Sequence, residues 1–282
     1  MTDIHPTAII EEGCVIGNNV HIEPYAIVKK DVTLEDDVTI KSHAYIDGYT
    51  TIGKGTTIYP SAVIGTKTQD LKYKGEKTFV KIGQNCEIRE FVTINSSCQE
   101  NSTVEIGDDC LIMACCHVAH NCSIGHNVIM ANSALLAGHV TIEDHVIIGG
   151  LAAIHQHCRV GTHAMIGGFS GLDRDVPPYL IGGRGPFKVS GLNRIGLKRH
   201  NFSFETRQCL MQAFKVLYRS NLSVDEALTE IEKSVEMTPE VLRFIAFCRT
   251  SKRGLAGLAS SVPEPNGEAR VEEIPQQRVS SQ

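Results

Sequence analysis

No stretch of about 18 uninterrupted apolar residues occurs in the 282-residue sequence, which excludes a membrane-spanning helix. The start, MTDIHPTAII, lacks a basic region followed by an apolar run, so no signal peptide is expected and a cytoplasmic protein is predicted. Neither sign of charge dominates. Lys and Arg number 27 against 32 Asp and Glu, a net charge of −5 that is too mild for a polyanion binder, and no nucleic-acid partner is expected. GxGxxG and GxxxxGKS patterns are missing, as are a GxSxG elbow and a Ser-His-Asp order. The turn GGRG at 182–185 has no helix-plus-Lys sequel that would make it a phosphate loop. Trp is absent, and that absence excludes nothing.

What the chain has instead is a beat of six. From Ile4 to Leu172 every sixth residue is aliphatic or Met, except Asp70, Glu76 and Glu100. At 42% hydrophobic composition about 12 of these 29 positions would be apolar by chance, and 26 are. Six fits neither a helix nor simple strand alternation; it is the hexapeptide period of a parallel β-helix. Four residues after each aliphatic position stands a second small or β-branched one, as in Ala8, Cys14, Val20, Ala26, Val32 and Val38. Gly, Asn and Asp collect at corners that tolerate positive φ. Three hexads make a triangular coil of 18 residues, and successive coils stack at about 4.8 Å. Several of the ten Cys, including Cys14, Cys86, Cys110, Cys122 and Cys158, occupy interior hexad positions and are expected to be reduced structural thiols. Cys115 and Cys116 are adjacent, unlike a metal-binding pair.

Two segments interrupt the beat yet keep its register, TKTQDLKYKGEKTFV at 66–80 and SSCQENST across the step at 100. Loops protruding from a solenoid are where binding residues concentrate, and the first is the leading candidate. After Leu172, DVPPYLIGGRGPFKVSG should end the β-helix. Helices are predicted from the Ser203 cap to about Ser220, from the capping box of Ser223 and Glu226, and from Thr238-Pro239 to near Arg249. The chain thus divides into a β-helix over 1–190, a helical domain over 191–257, and a polar tail over 258–282 expected to be disordered.

Eight of the twelve His fall between His117 and His163. Counting in coils of 18 stacks His120 under Gly138 and Gly138 under Gln156, with Asn121, His139 and His157 in the neighbouring column. An imidazole beside an uncovered amide N–H is what acyl transfer needs, one as base and the other to stabilise an oxyanion. His126, His145 and His163 read as tolerated surface.

The segments QDLK at 69–72, HVAHN at 117–121, LAGHV at 136–140, IHQH at 154–157, DVPPY at 175–179 and GLKRHNF at 196–202 resemble, in this order, the acyl-[acyl-carrier-protein]–UDP-N-acetylglucosamine O-acyltransferases. These enzymes start lipid A synthesis. The resemblance spans residues 1 to about 257 and implies a left-handed β-helix, against the usual crossover rule, followed by a small α-helical domain. It implies that His120 is the general base for the glucosamine 3-hydroxyl and that Gly138 supplies the oxyanion N–H. Asp70 and Lys72, with neighbouring Gln69, would hold the sugar. His117, His139 and Gln156 would line the sugar and diphosphate site, with His155 near the acyl and pantetheine path. Asn193 and Arg199 would reach the nucleotide. Gly168 matches the position limiting acyl length, and a glycine there implies room for a long chain, on the order of 14 carbons. It further implies an acyl carrier protein and UDP-N-acetylglucosamine as partners, a homotrimer with sites between subunits, and no cofactor or metal, the phosphopantetheine arriving on the donor. Arg194, Lys198, Arg199, Arg207, Lys215 and Arg219 face only Glu205 across 193–219, which suits steering of an acidic carrier.

The sequence departs from the family at Asn121, where many members carry Asp, at Ile195, where an acidic residue is common, and at His200, where a second Arg stands. Three other readings remain open on residues alone: an N-acyltransferase of the same pathway, which would carry an N-terminal sugar-binding domain; a zinc lyase with His ligands across a subunit interface; and a non-catalytic scaffold.

Overall fold

The computed structural model describes residues 1–257; the tail expected to be disordered lies outside the described residues. Short parallel strands, most of two residues, form three long sheets around a triangular core. Sheet A starts at Asp3–Ile4, sheet B at Ile9–Ile10 and sheet C at Val15–Ile16, and the chain visits them in that order once per coil. Asp3 pairs with His21 and Ile9 with Ile27, a step of 18 residues. The predicted left-handed parallel β-helix is the architecture.

Each aliphatic hexad position points inward. Ile22, Ile40, Ile58, Ile88, Ile112, Met130, Ile148 and Ile166 form one fully buried column on sheet A, interleaved with Val20, Val38, Val128 and Val146. Cys86 and Cys110 are buried there as small side chains, and Cys122 and Cys158 in the matching places beside sheet C; burial pushes the Cys158 thiol up to about 11 and Cys122 to about 12. All ten cysteines are free.

Both interruptions preserve the register in whole hexads. Across the first, Tyr49 pairs with Phe79, a step of 30; across the second, Phe79 pairs with Thr103, a step of 24. The inserts therefore add two hexads and one hexad to the 18-residue step, so neither turns an inward side chain outward.

From Asp109 to Phe169 every sixth residue turns a corner at positive φ. Asn and Asp were expected here, and His belongs with them because its polar ring also tolerates this region. His139, His145, His157 and His163 all occupy such corners. Backbone conformation thus accounts for half of the histidine concentration, whereas His117, His120, His126 and His155 lie outside the positive-φ positions.

The β-helix does not stop at Leu172. Pro178 settles over Gly161, and Leu180–Gly183 adds another parallel strand beside Met165–Ile166. Lys188–Leu192 returns antiparallel to it, so the expected boundary at 190 falls inside a strand. Four helices follow: α1 (Arg194–Arg199), α2 (Phe204–Arg219), α3 (Val224–Ser234) and α4 (Pro239–Arg249). Ser203, Ser223 and Thr238 cap the last three as predicted, with the Glu226 capping box formed. The six-residue α1 is an addition, begun by Asn193.

Candidate active site

Both hexad interruptions leave the β-helix at the same corner, between sheets B and C. The first joins Val63–Thr66 to Phe79–Ile82 and the second joins Thr93–Asn95 to Thr103–Ile106. One coil later, the same corner carries His120 and Asn121, between His117–Val118 and Ser123–Ile124. The loops brace each other: Lys77 N–H donates to the Glu100 carboxylate (3.1 Å) and Asn101 N–H to the Lys77 carbonyl (2.8 Å).

The first loop brings Asp70 to His120, with Asp70 Oδ2 3.6 Å from His120 Nε2. Asp70 is itself oriented by a tight turn, its Oδ1 accepting from the Lys72 N–H at 2.9 Å and its own N–H donating to Thr68 Oγ1 at 3.2 Å. The Lys72 amide, followed by His120 and the Lys72 charge, holds the Asp70 carboxyl below its ordinary value. Gln69 and the Lys72 side chain are exposed at the loop surface.

The second loop contributes Cys98, which the hexad pattern had passed over. Its N–H and Sγ–H both point to Asn121 Oδ1, at 3.3 and 2.9 Å. His120 Nδ1 lies 3.0 Å from the same oxygen. An amide oxygen only accepts, so Nδ1 carries the proton and Nε2 keeps its lone pair, facing Asp70. Cys98 could have been suspected only from its place inside an interruption of the repeat.

Gly138 lies against the imidazole. A Cβ built on it would sit 2.5 Å from His120 Nε2 and 3.0 Å from Nδ1, so the ring occupies the space that a side chain would need. Its φ lies outside the left-handed region, and no tight corner calls for glycine here. Among the described residues, no acceptor takes the Gly138 N–H. At some other coils the equivalent N–H is satisfied by a side chain, as Lys54 is by Glu35 and Thr162 by Glu143, whereas at Ala114, Asn132 and Gly150 it is open as at Gly138; what sets Gly138 apart is the imidazole lying against it.

Around this pair, His139 stands edge-on to His120 at 5.1 Å and stacks on His157 at 4.6 Å. His117 is hydrogen-bonded to Thr93 Oγ1 at 2.7 Å. Burial depresses both His117 and His139, reinforced by neighbouring imidazoles, so both favour the neutral form. His155 and Gln156 are exposed at the same corner, His155 Nδ1 lying 3.2 Å from the Gln156 carbonyl. Among the described residues, two groups have metal-ligand composition: Cys98, His120 and His139, and, at the corner between sheets C and A, His145, His163 and His200.

The family model for bacterial transferase hexapeptides matches residues 13–48 and 103–138. The model described as UDP N-acetylglucosamine O-acyltransferase, domain 2, matches residues 175–256. An acyl-[acyl-carrier-protein]–UDP-N-acetylglucosamine O-acyltransferase from Chlamydia caviae is 59% identical over 256 residues, 90% of this chain and 92% of that protein. The family is decided by that match. The chain belongs to the acyl-[acyl-carrier-protein]–UDP-N-acetylglucosamine O-acyltransferases. Among solved structures, a UDP-N-acetylglucosamine acyltransferase from Bacteroides fragilis superposes with a TM-score of 0.87 at 40% identity, covering 89% of this chain and 99% of the other. One from Campylobacter jejuni gives 0.86 at 39%, covering 91% and 100%.

Not every residue implicated through this O-acyltransferase family meets at the His120 corner of one chain. Asn193 is buried at the corner between sheets C and A, its Nδ2 donating to the His163 carbonyl (2.9 Å) and its Oδ1 accepting from Gly196 N–H (3.1 Å). That side chain starts α1. Arg199 is exposed in the last turn of α1. Gly168 is exposed at the third corner, between sheets A and B, where a Cβ would come 3.1 Å from the Gly150 carbonyl oxygen. Between it and the His120 corner runs the outer face of sheet B, carrying Leu135, Ala153 and Gly171.

Proposed function

We propose that the chain transfers a fatty acyl group from an acyl carrier protein thioester to the 3-hydroxyl of UDP-N-acetylglucosamine, in the cytoplasm, as the first step of lipid A biosynthesis. His120 Nε2 takes the hydroxyl proton while the oxygen attacks the thioester carbonyl. The oxyanion of the tetrahedral intermediate accepts the Gly138 N–H. Collapse breaks the C–S bond, and the imidazolium returns the proton to the departing pantetheine thiolate. Asp70 faces the nitrogen that becomes positive, so a carboxylate supports the imidazolium even with Asn121 at the neighbouring position. No cofactor or metal is required, since phosphopantetheine arrives on the donor.

The observation that carries this reading is the contact of the His120 ring with an uncovered Gly138 whose N–H has no acceptor among the described residues. Gln69, Asp70, Lys72, His117, His139 and Gln156 surround it with polar groups suited to a sugar diphosphate. The outward residues Leu135, Ala153 and Gly171 of sheet B offer an apolar strip leading from His155 toward Gly168; six residues of extended chain span at most about 20 Å. Arg194, Arg207 and Lys215 line a groove with Leu192, Phe204 and Met211, a basic and apolar surface for an acidic carrier.

Asn193 and Arg199 lie at a different corner from His120, so a role for them at the same substrate calls for a neighbouring chain. A homotrimer with sites between subunits accommodates this. Mass spectrometry of the product formed from UDP-N-acetylglucosamine and mixed acyl carrier proteins tests the activity. His120→Ala should lower kcat by about 10²–10⁴-fold; transfer at the native rate would refute the mechanism.

A further inference from the structure

The corner at His120 gathers a set of donor atoms that acyl transfer does not use together. Cys98 Sγ, a nitrogen of His120 and a nitrogen of His139 all lie within 4.8 Å of one another, and Asp70 Oδ2 approaches His120 Nε2 at 3.6 Å. The four residues come from both loop inserts and from two successive coils. We infer that this cluster is a binding site for one zinc-class divalent cation, with Cys98, His120, His139 and Asp70 as its ligands.

The donor set selects the class of ion. One thiolate, two imidazoles and one carboxylate suit Zn²⁺ or Co²⁺, whereas Mg²⁺ and Ca²⁺ favour oxygen alone. Tetrahedral bonds of about 2.0–2.3 Å place ligand atoms roughly 3.3–3.8 Å apart, so the Cys98, His120 and His139 donors must close by at most about 1.5 Å, and Asp70, already 3.6 Å from His120 Nε2, must swing in toward the other two. Three of the four can move without disturbing a strand: Asp70 and Cys98 are carried on inserts, and His139 on a corner. His120 is already in the ligating tautomer. Its Nδ1 points to Asn121 Oδ1, the arrangement in which a neighbouring carbonyl oxygen orients a metal-bound imidazole.

Binding forms a metal–sulfur bond and releases the Cys98 thiol proton to solvent, with no change in oxidation state. The cation's water ligands leave in exchange for the protein donors. The Sγ–H hydrogen bond to Asn121 is lost, while the Cys98 N–H and His120 Nδ1–H bonds to Asn121 remain. The lone pair used is that of His120 Nε2. A bound ion therefore excludes proton abstraction at the same atom; this consequence, unlike metal binding itself, rests on His120 being the base.

The full-length protein, stripped of metal by chelation, is titrated with Co²⁺. Expected are a thiolate-to-cobalt charge-transfer band saturating at one equivalent per chain, its displacement by one equivalent of Zn²⁺, and release of one proton. The band should vanish in Cys98→Ser and persist in Cys115→Ser, which removes the exposed cysteine. His139→Ala, which leaves the thiol in place but removes a ligand, should weaken binding by more than the roughly 10–100-fold that loss of a ligand's hydrogen-bond partner costs. Absence of the band in the native protein, or its survival in Cys98→Ser, overturns the site. Acyl transfer is then measured with and without one equivalent of Zn²⁺, each protein scored against its own metal-free rate. Native enzyme should be inhibited and Cys98→Ser spared. Cobalt binding with an unimpaired native rate would establish the metal site and refute the base role of His120, so the two readings fail separately.

Discussion

Replacing Gly138 by Ala should disable the enzyme without unfolding it. The added Cβ would lie 2.5 Å from His120 Nε2 and 3.0 Å from Nδ1, and the nearest atoms it meets all belong to that ring. Ordinary carbon contacts begin near 3.5 Å, so the imidazole must retreat by about 1 Å. A displacement of that size at a reacting group costs about 10²-fold in rate, or about 2.7 kcal/mol of transition-state stabilisation. The backbone itself accepts Ala, because the φ of Gly138 is not left-handed. The coil contacts also survive, since the His157 N–H to Gly138 carbonyl bond and the His139 N–H to His120 carbonyl bond involve main chain only. Reduced freedom of the unfolded chain would add about 0.4–1 kcal/mol of stability, offsetting part of any strain. The assay is kcat for acyl transfer at saturating substrates, with thermal unfolding in parallel. A kcat within about threefold of native, or a collapse of Tm with kcat per folded molecule intact, would refute the steric reasoning. The background His120→Ala supplies a further check: with the ring gone, Gly138→Ala has nothing to displace and should add little, a non-additivity expected only of directly coupled residues.

Gly168→Met should shift the preferred donor toward shorter acyl chains, read by competition between carrier proteins of different chain length; an unchanged profile would remove Gly168 from the acyl path. Stability should also decline at acid pH through His163, whose pKa is lowered from 6.5 to about 4 by burial, then by His145 and His200. Above pH 6.5 folded and unfolded states are both neutral there and the residue contributes nothing to the pH dependence. Between pH 6.5 and 4 the unfolded state binds the proton that the folded state refuses, so stability falls with falling pH and levels off below about 4. The full shift corresponds to about 3 kcal/mol, and solvent screening at this partly open site leaves on the order of 1–2 kcal/mol. Denaturant midpoints at pH 7 and pH 4.5 should converge in His163→Gln relative to the native chain; parallel curves would show that another group controls the acid limb.

Residue counting alone reached the coil, because a β-helix repeats one backbone geometry and each position in the hexad always faces the same way. Ile112 is interior, Asn121 turns a corner, and His120 stacks under Gly138 for that single reason. Helix caps were equally legible, being local chemistry between a side chain and an N–H three residues on. The strand at Leu180–Gly183 was not, since prolines and glycines that normally end regular structure here carry the chain into one more parallel pairing. The surface reading of His145 and His163 names no cause for their recurrence; the positive φ of the corners supplies one, and it extends to His139 and His157.

The six-residue period by itself determined the solenoid, the direction of every core side chain, and the column containing the base and its glycine. Tertiary structure alone decided what faces that base. Asp70 and Cys98 lie in segments without a period, where no ladder of backbone hydrogen bonds dictates position, and they reach His120 and Asn121 only because both loops leave the same corner and brace one another through Lys77, Glu100 and Asn101. Placement of Asn193 was likewise settled by packing, its amide held between His163 and Gly196 at another corner of the triangle.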